Sequence, residues 1–130
     1  MAKFLNDDVL DGLLNVIKGD GTKLSLCEGQ PSSYAEATTL KSAGGKAVVV
    51  LTVDSAAYTG PSDGDASGRK LTVNERTGVT ITEAGTITYL AIGDSVNTKL
   101  LLVTTTMSKA VTASQQVMLG EFKIEVADPV

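Results

Sequence analysis

The spacing of the apolar residues changes once along this chain, near residue 20, and the change divides it into one helix and a series of strands. Over residues 5–18, apolar side chains recur every three or four positions, which predicts an amphipathic helix. Asn6 is its expected N-cap and Gly19 its expected C-terminal stop. From residue 22 onward the apolar residues alternate, as they do in half-buried strands. A helix this short is marginal alone in water, so we expect it to pack on the sheet or on another subunit.

Seven or eight strands are predicted after the helix, at spacings of roughly ten residues. Residues 79–92 are expected to form a hairpin around a turn at Glu83-Ala84-Gly85. Residues 54–70 contain Gly-Pro and Asp-Gly pairs and are expected to form a long loop. In the last predicted strand, 116–128, the apolar phase shifts by one at Gly120, which predicts a β-bulge.

The predicted fold class is therefore mainly β, an antiparallel β-sandwich or jelly-roll-like barrel with one N-terminal amphipathic helix. A length of 130 residues predicts one domain, 1–130, with the helix in 1–19 and a β domain in 20–130. Aromatic residues make up only 4% of the chain, so the core is expected to consist of aliphatic side chains.

Composition argues against several functions. A net charge of −4 does not fit direct binding of DNA or RNA, and no apolar run is long enough to predict a membrane span. The acidic N-terminal stretch lacks a signal-peptide pattern, so synthesis in the cytosol is expected. With no His and a single Cys, Cys27, neither a usual zinc site nor His-assisted nucleophilic catalysis is expected. We therefore expect no enzyme activity and no cofactor, and we expect Cys27 to be a buried, inert thiol.

One short motif resembles the start of a calcium-binding loop. Asp63, Asp65 and Ser67 alternate in "DGDASG", so their oxygens have the spacing that such a loop uses. The twelfth position, however, falls on Asn74, and Glu75 lies one residue late. An acidic surface turn is therefore the preferred interpretation, and these three residues remain weak metal candidates.

The apolar helix has two compatible interpretations. It can cover its own sheet, and it can also present part of its apolar surface to a partner. The residues predicted to contact a partner come from the helix region and from the loop after residue 60: Phe4, Leu5, Val9, Leu13, Pro61, Asp63 and Arg69.

Several stretches together resemble a small protein encoded among the structural genes of tailed bacteriophages and prophages. They are the opening "LNDDVLDGLLNVIKGDGTKLSLCEGQPSSYAEA", the middle "YTGPSDGDASGRKLTV", the segment "TGVTITEAGTITYLAI" and the ending "FKIEVADPV". The matching positions in the opening are Asp7, Leu10, Asp11, Leu14, Ile17, Thr22, Leu24, Cys27, Gln30, Pro31, Tyr34, Glu36 and Ala37. Tyr89 departs from the family pattern, in which the resemblance implies a His at that position.

The resemblance implies a virion component, a capsid decoration or cement protein on the outside of the head. Its implied partners are the major capsid protein and further copies of itself, and a trimer is the expected oligomer. One alternative is a tail or head–tail joining protein. A second, of another class, is a host-surface or glycan-binding module, which the low aromatic content disfavours.

Overall fold

The computed structural model describes residues 6–127, which form two α-helices and nine strands. The helices are α1 (Asp7–Asp20) and α2 (Tyr34–Thr38), and short 3-10 turns cover Lys41–Ala43 and Ser55–Ala57. The strands are β1 (Lys23–Cys27), β2 (Ala47–Thr52), β3 (Tyr58–Asp63), β4 (Arg69–Val73), β5 (Arg76–Thr80), β6 (Gly85–Asp94), β7 (Lys99–Val111), β8 (Gln116–Leu119) and β9 (Phe122–Val126).

Local signals specify both ends of α1. The Asn6 side chain accepts a hydrogen bond from the Asp8 backbone N–H at 2.8 Å, which confirms the predicted N-cap. The helix continues through Gly19, so the predicted stop there is wrong. It ends at Asp20, where the backbone N–H of Gly21 donates to the Ile17 carbonyl at 2.8 Å.

Three antiparallel sheets surround the core. The largest has the order β2-β1-β6-β7, the second β3-β4-β9, and the third pairs β5 with β8. Buried aliphatic residues from all three sheets form one cluster with Leu14 of α1, and α2 covers a smaller cluster around Cys27. The chain is therefore mainly β, with antiparallel sheets in a sandwich arrangement and one main N-terminal helix, as predicted.

The predicted hairpin at 79–92 is wrong. β5 and β6 lie in different sheets, because β5 pairs with β8 while β6 pairs with β1 and β7. The connection between them is held by distant residues. The backbone N–H groups of Thr82 and Glu83 both donate to the Val48 carbonyl, and the Glu83 carboxylate accepts from Ser42.

The predicted β-bulge at Gly120 is also wrong. Gly120 and Glu121 separate two strands that belong to different sheets, β8 beside β5 and β9 beside β4. The shift in apolar phase at Gly120 therefore marks a crossover between sheets and not an extra residue within one strand.

The predicted long loop at 54–70 is mostly a hairpin. After the 3-10 turn at Ser55–Ala57, β3 and β4 pair from Tyr58↔Val73 to Asp63↔Arg69, and only residues 64–68 form the turn. Pro61 is tolerated because β3 is an edge strand and its register shifts between Thr59 and Ser62.

A buried tyrosine joins the end of α1 to this hairpin. The Tyr58 hydroxyl donates to the Gly21 carbonyl at 2.6 Å, and burial raises the pKa of Tyr58 to about 12. We expect Tyr58→Phe to lower the free energy of unfolding by about 1–2 kcal/mol, because the Gly21 carbonyl loses its buried partner. Urea unfolding measures this difference. Tyr34→Phe is the control, since the Tyr34 side chain donates no hydrogen bond among the described residues; an equal loss in both variants would contradict the assignment.

Candidate interaction surfaces

An arginine fork fixes α1 against the β3–β4 hairpin. Arg69 donates from Nε to Asp11 Oδ1 at 2.7 Å and from Nη2 to Asp11 Oδ2 at 3.2 Å. Its Nη1 also donates to Asp63 Oδ1 at 2.7 Å and lies 4.0 Å from Asp7 Oδ2. The hydrogen bonds that Arg69 donates to Asp11 raise the pKa of Arg69, and bidentate pairs of this kind fix orientation as well as distance.

A second contact holds the other end of the helix. Lys18 Nζ donates to the Gly60 carbonyl at 2.6 Å, so the basic residue in the last turn of α1 is directed at β3. Together with the Arg69 fork and the Tyr58 hydroxyl, this bond ties both ends of α1 to one hairpin. The helix therefore presents a defined face to solvent.

That outward face carries three apolar side chains, Val9, Leu13 and Val16, which we call the helix row. They are 52%, 54% and 48% exposed, although Leu10 and Leu14 on the neighbouring face are buried. The spacing i, i+4, i+7 places them on one side of the helix. About half of each side chain is open to solvent, so the helix both packs on its own sheets and presents an apolar surface.

The predicted contact residues fall into two groups. Val9 and Leu13 lie in the helix row, whereas Pro61 and Asp63 lie on β3, next to the helix through the Arg69 fork. The Arg69 side chain is only 17% exposed and is engaged by Asp11 and Asp63, which leaves it little surface for a partner. Phe4 and Leu5 lie outside the described residues.

A second apolar surface lies where the sandwich is open. β7 pairs only with β6, and β9 pairs only with β4, so within residues 6–127 each of them leaves one edge unpaired. Between β7 and the β8–β9 crossover lies an open groove of about 660 Å³, which we call the β7 groove. Its lining includes the core residues Leu26, Ile87 and Leu90, the crossover residues Val117, Leu119 and Phe122, and, from β7, Thr104, Met107 and Lys109.

Two methionines stand at the β7 groove. Met107 is 92% exposed and Met118 is 62% exposed, and both contribute to its lining. Methionine is flexible and polarisable, so it adapts to the shape of a bound apolar surface. Their exposure next to core residues makes the β7 groove a candidate interaction surface.

Sequence reasoning did not single out Val16, Met107 or Met118. Val16 could have been found, because it lies three residues after Leu13 and seven after Val9. The methionines carry no such signal, since the β7 groove brings together segments between Leu26 and Lys123 that are distant in sequence and belong to three different sheets.

The acidic turn after β3 is occupied by the protein's own cations. Asp65 Oδ1 accepts from Lys70 Nζ at 2.6 Å and Asp65 Oδ2 accepts from Lys123 Nζ at 2.9 Å. The Asp63 carboxylate binds Arg69. Nowhere in residues 6–127 do three or more Asp, Glu, Cys or His side chains gather as a metal ion requires, and the two aspartates instead join β3, β4 and β9.

The hydrogen bonds from Lys70 and Lys123 lower the pKa of Asp65 to about 2. A carboxyl whose pKa is lowered in the folded protein stabilises the fold above its unfolded value of about 3.9 and loses that contribution as pH falls toward 2. We therefore expect Asp65→Asn to lower the Tm at pH 5–7, with the difference from wild type shrinking between pH 4 and pH 2.

The measurement is a Tm series for both proteins between pH 2 and pH 7. Ser67→Ala is the matched control, because it changes an exposed side chain in the same turn that does not titrate. A difference between wild type and Asp65→Asn that stays constant across the series would contradict the assigned ion pairs.

Cys27 is fully buried, as predicted. It lies on β1 beneath α2, and its thiol is 3.9 Å from the Ala37 carbonyl. Burial raises the pKa of the Cys27 thiol to about 11, so almost none of it is thiolate at neutral pH. The thiol is therefore a packing element of the small cluster under α2.

No helix within the described residues is long and apolar enough to cross a membrane. Comparison with known proteins gives no relatives: no protein-family model, no curated protein and no solved structure matches this chain.

Proposed function

We propose that this chain is a non-enzymatic structural protein of a tailed-phage virion, which decorates the capsid and cements its shell. The observation that carries the proposal is the helix row, three exposed apolar side chains on a helix whose two ends are tied to the body of the molecule. A protein that stabilises a particle needs adhesive surface on a stable framework. The resemblance to phage structural proteins is the reason for proposing that this particle is a phage virion.

Cement proteins act through many identical contacts. A contact that forms only in the assembled shell stabilises that shell by mass action, and repetition by symmetry multiplies the effect. The proposed partners are accordingly the major capsid protein and further copies of this chain, with a trimer as the proposed oligomer. The proposed location is the outer surface of the virion, after synthesis in the host cytoplasm.

The charge of the chain suits this role. A net charge of −4 favours solubility before assembly and repels packaged nucleic acid. The ion pairs of Asp65 and Arg69 are formed within one chain, so they stabilise the fold of that chain. The apolar surfaces are left to make contacts with partners.

Mass spectrometry and cryo-electron microscopy of purified particles test the proposal. We expect the chain in mature heads, in a copy number set by the symmetry of the shell. Its absence from heads would contradict the proposal, and its presence in tails with ring symmetry would instead identify a tail or head–tail joining protein.

A substitution experiment tests the surface. We expect Leu13→Asp to lower the number of copies retained per head, because it places a charge in the helix row. Val96→Asp is the matched control, since Val96 is 84% exposed in the β6–β7 turn and belongs neither to the helix row nor to the lining of the β7 groove. Equal retention of the two variants would show that the helix row makes no contact in the particle.

A further inference from the structure

The helix row is convex and the β7 groove is concave, so the row has a shape that can fit into the groove. The row is a convex stripe of Val9, Leu13 and Val16, at the i, i+4, i+7 spacing of helices that bind in grooves. The β7 groove is concave and apolar at its base, and Met107 and Met118 are exposed beside it. Both surfaces belong to the same chain, so two copies can bring them together.

Exposed aspartates flank the helix row, whereas the β7 groove is lined by two lysines and one glutamate. Asp8 and Asp20 are exposed beside the helix row, and the only basic residue of α1, Lys18, is bound to the Gly60 carbonyl. The β7 groove is lined by Lys109 and Lys123, with Glu121 as its one carboxylate. Lys123 forms an ion pair with Asp65, whereas Lys109 makes no ion pair among the described residues.

These charges also oppose the simplest alternative. Two copies that packed helix row against helix row would bring the exposed aspartates of both helices together, while the one basic residue of α1, Lys18, is directed at β3. Like charges placed opposite one another at an interface cost free energy.

We propose that the helix row of one copy docks in the β7 groove of a second copy. This contact joins different surfaces on its two sides, so it is a head-to-tail contact, and repeating it gives a closed ring where the rotation closes. The inference rests on the proposed function in one respect: it assigns the self-association that a decoration protein uses on the shell.

Disulfide trapping tests which surfaces meet. Leu13→Cys and Met107→Cys proteins are mixed at high concentration and oxidised, and we expect a disulfide-linked heterodimer as the main product. Cys27 does not interfere, because it is buried with a raised pKa. Val96→Cys replaces Met107→Cys in the control mixture, and we expect at most one-tenth as much heterodimer there.

Two results would overturn the assignment. One is a main product in which Leu13→Cys is linked to itself, which would show that the helix rows pair. The other is equal trapping in the Met107→Cys and Val96→Cys mixtures, which would show random collision.

Charge reversal provides an independent measurement. We expect Asp8→Lys and Lys109→Asp each to weaken self-association about fivefold, by light scattering or sedimentation, with the effect reduced at high salt. Mixing the two variants should restore association, because the Asp8→Lys helix then faces the Lys109→Asp groove. Weakening that is not restored in the mixture, or a wild-type protein that stays monomeric up to its solubility limit, would contradict the proposal.

These outcomes are separate from those of the particle experiments. Head-to-tail trapping in solution with no protein in phage heads would remove the proposed function and leave this contact standing. If the protein is present in phage heads but no head-to-tail disulfide is trapped, the proposed function stands and the proposed contact between copies is wrong.

Discussion

Replacing Leu14 with alanine is expected to lower the free energy of unfolding by about 3 kcal/mol. Leu14 is 1% exposed and is the fully buried α1 residue of the main core cluster, so the shorter side chain leaves a cavity between the helix and the sheets. Urea denaturation followed by circular dichroism measures the change.

Leu13→Ala is the matched control for this experiment. It makes the same chemical change one position away, on the exposed helix row, and should alter the free energy of unfolding by at most about 0.5 kcal/mol. Similar losses in the two variants would show that the helix packs with a different face, and the interaction surfaces described above would then be misplaced.

The second large effect is expected for Gly68→Ala. Gly68 has φ +68°, and a Cβ atom there would collide with the Val126 carbonyl oxygen of β9, backbone that cannot rotate away. Its own carbonyl accepts from the Gly64 N–H at 3.0 Å, which closes the β3–β4 turn. We expect a loss of about 3 kcal/mol or more, because the turn and the β4–β9 pairing must both distort.

Gly78→Ala is the control that separates the energetic cost of the steric collision from the cost of the left-handed backbone conformation. Gly78 has φ +66°, but open space surrounds the position of its Cβ, so only the cost of the left-handed conformation applies, about 1 kcal/mol. Thermal and urea unfolding of both variants give the comparison. Equal losses would mean that the approach of Gly68 to β9 contributes nothing.

The helix could be predicted from sequence because its signals are local. Asn6 caps it, and the apolar spacing specifies the face that carries Leu10 and Leu14. Alternation likewise identifies a segment as a strand, but it carries no information about which strand lies beside it. That is why 79–92 resembles a hairpin in sequence although Val79 pairs with Val117 and Leu90 pairs with Leu26.

The difference between local signals and long-range pairing also explains which candidate surface could be predicted from sequence. Val9 and Leu13 could be assigned to an outward helix face from one helix alone. The β7 groove depends on two unpaired strand edges and on a crossover at Gly120, and all of these follow from long-range pairing. The sequence does contain the shift in phase at Gly120, but a bulge and a change of sheet produce the same shift.

The enclosed thiol of Cys27 has a practical consequence for labelling this protein. Since the chain contains a single cysteine and that one is sequestered, a cysteine introduced at Val96 would be the one site open to a maleimide dye. Each copy would then carry one fluorophore, and the bleaching steps of any single complex that contains the protein would count its copies directly.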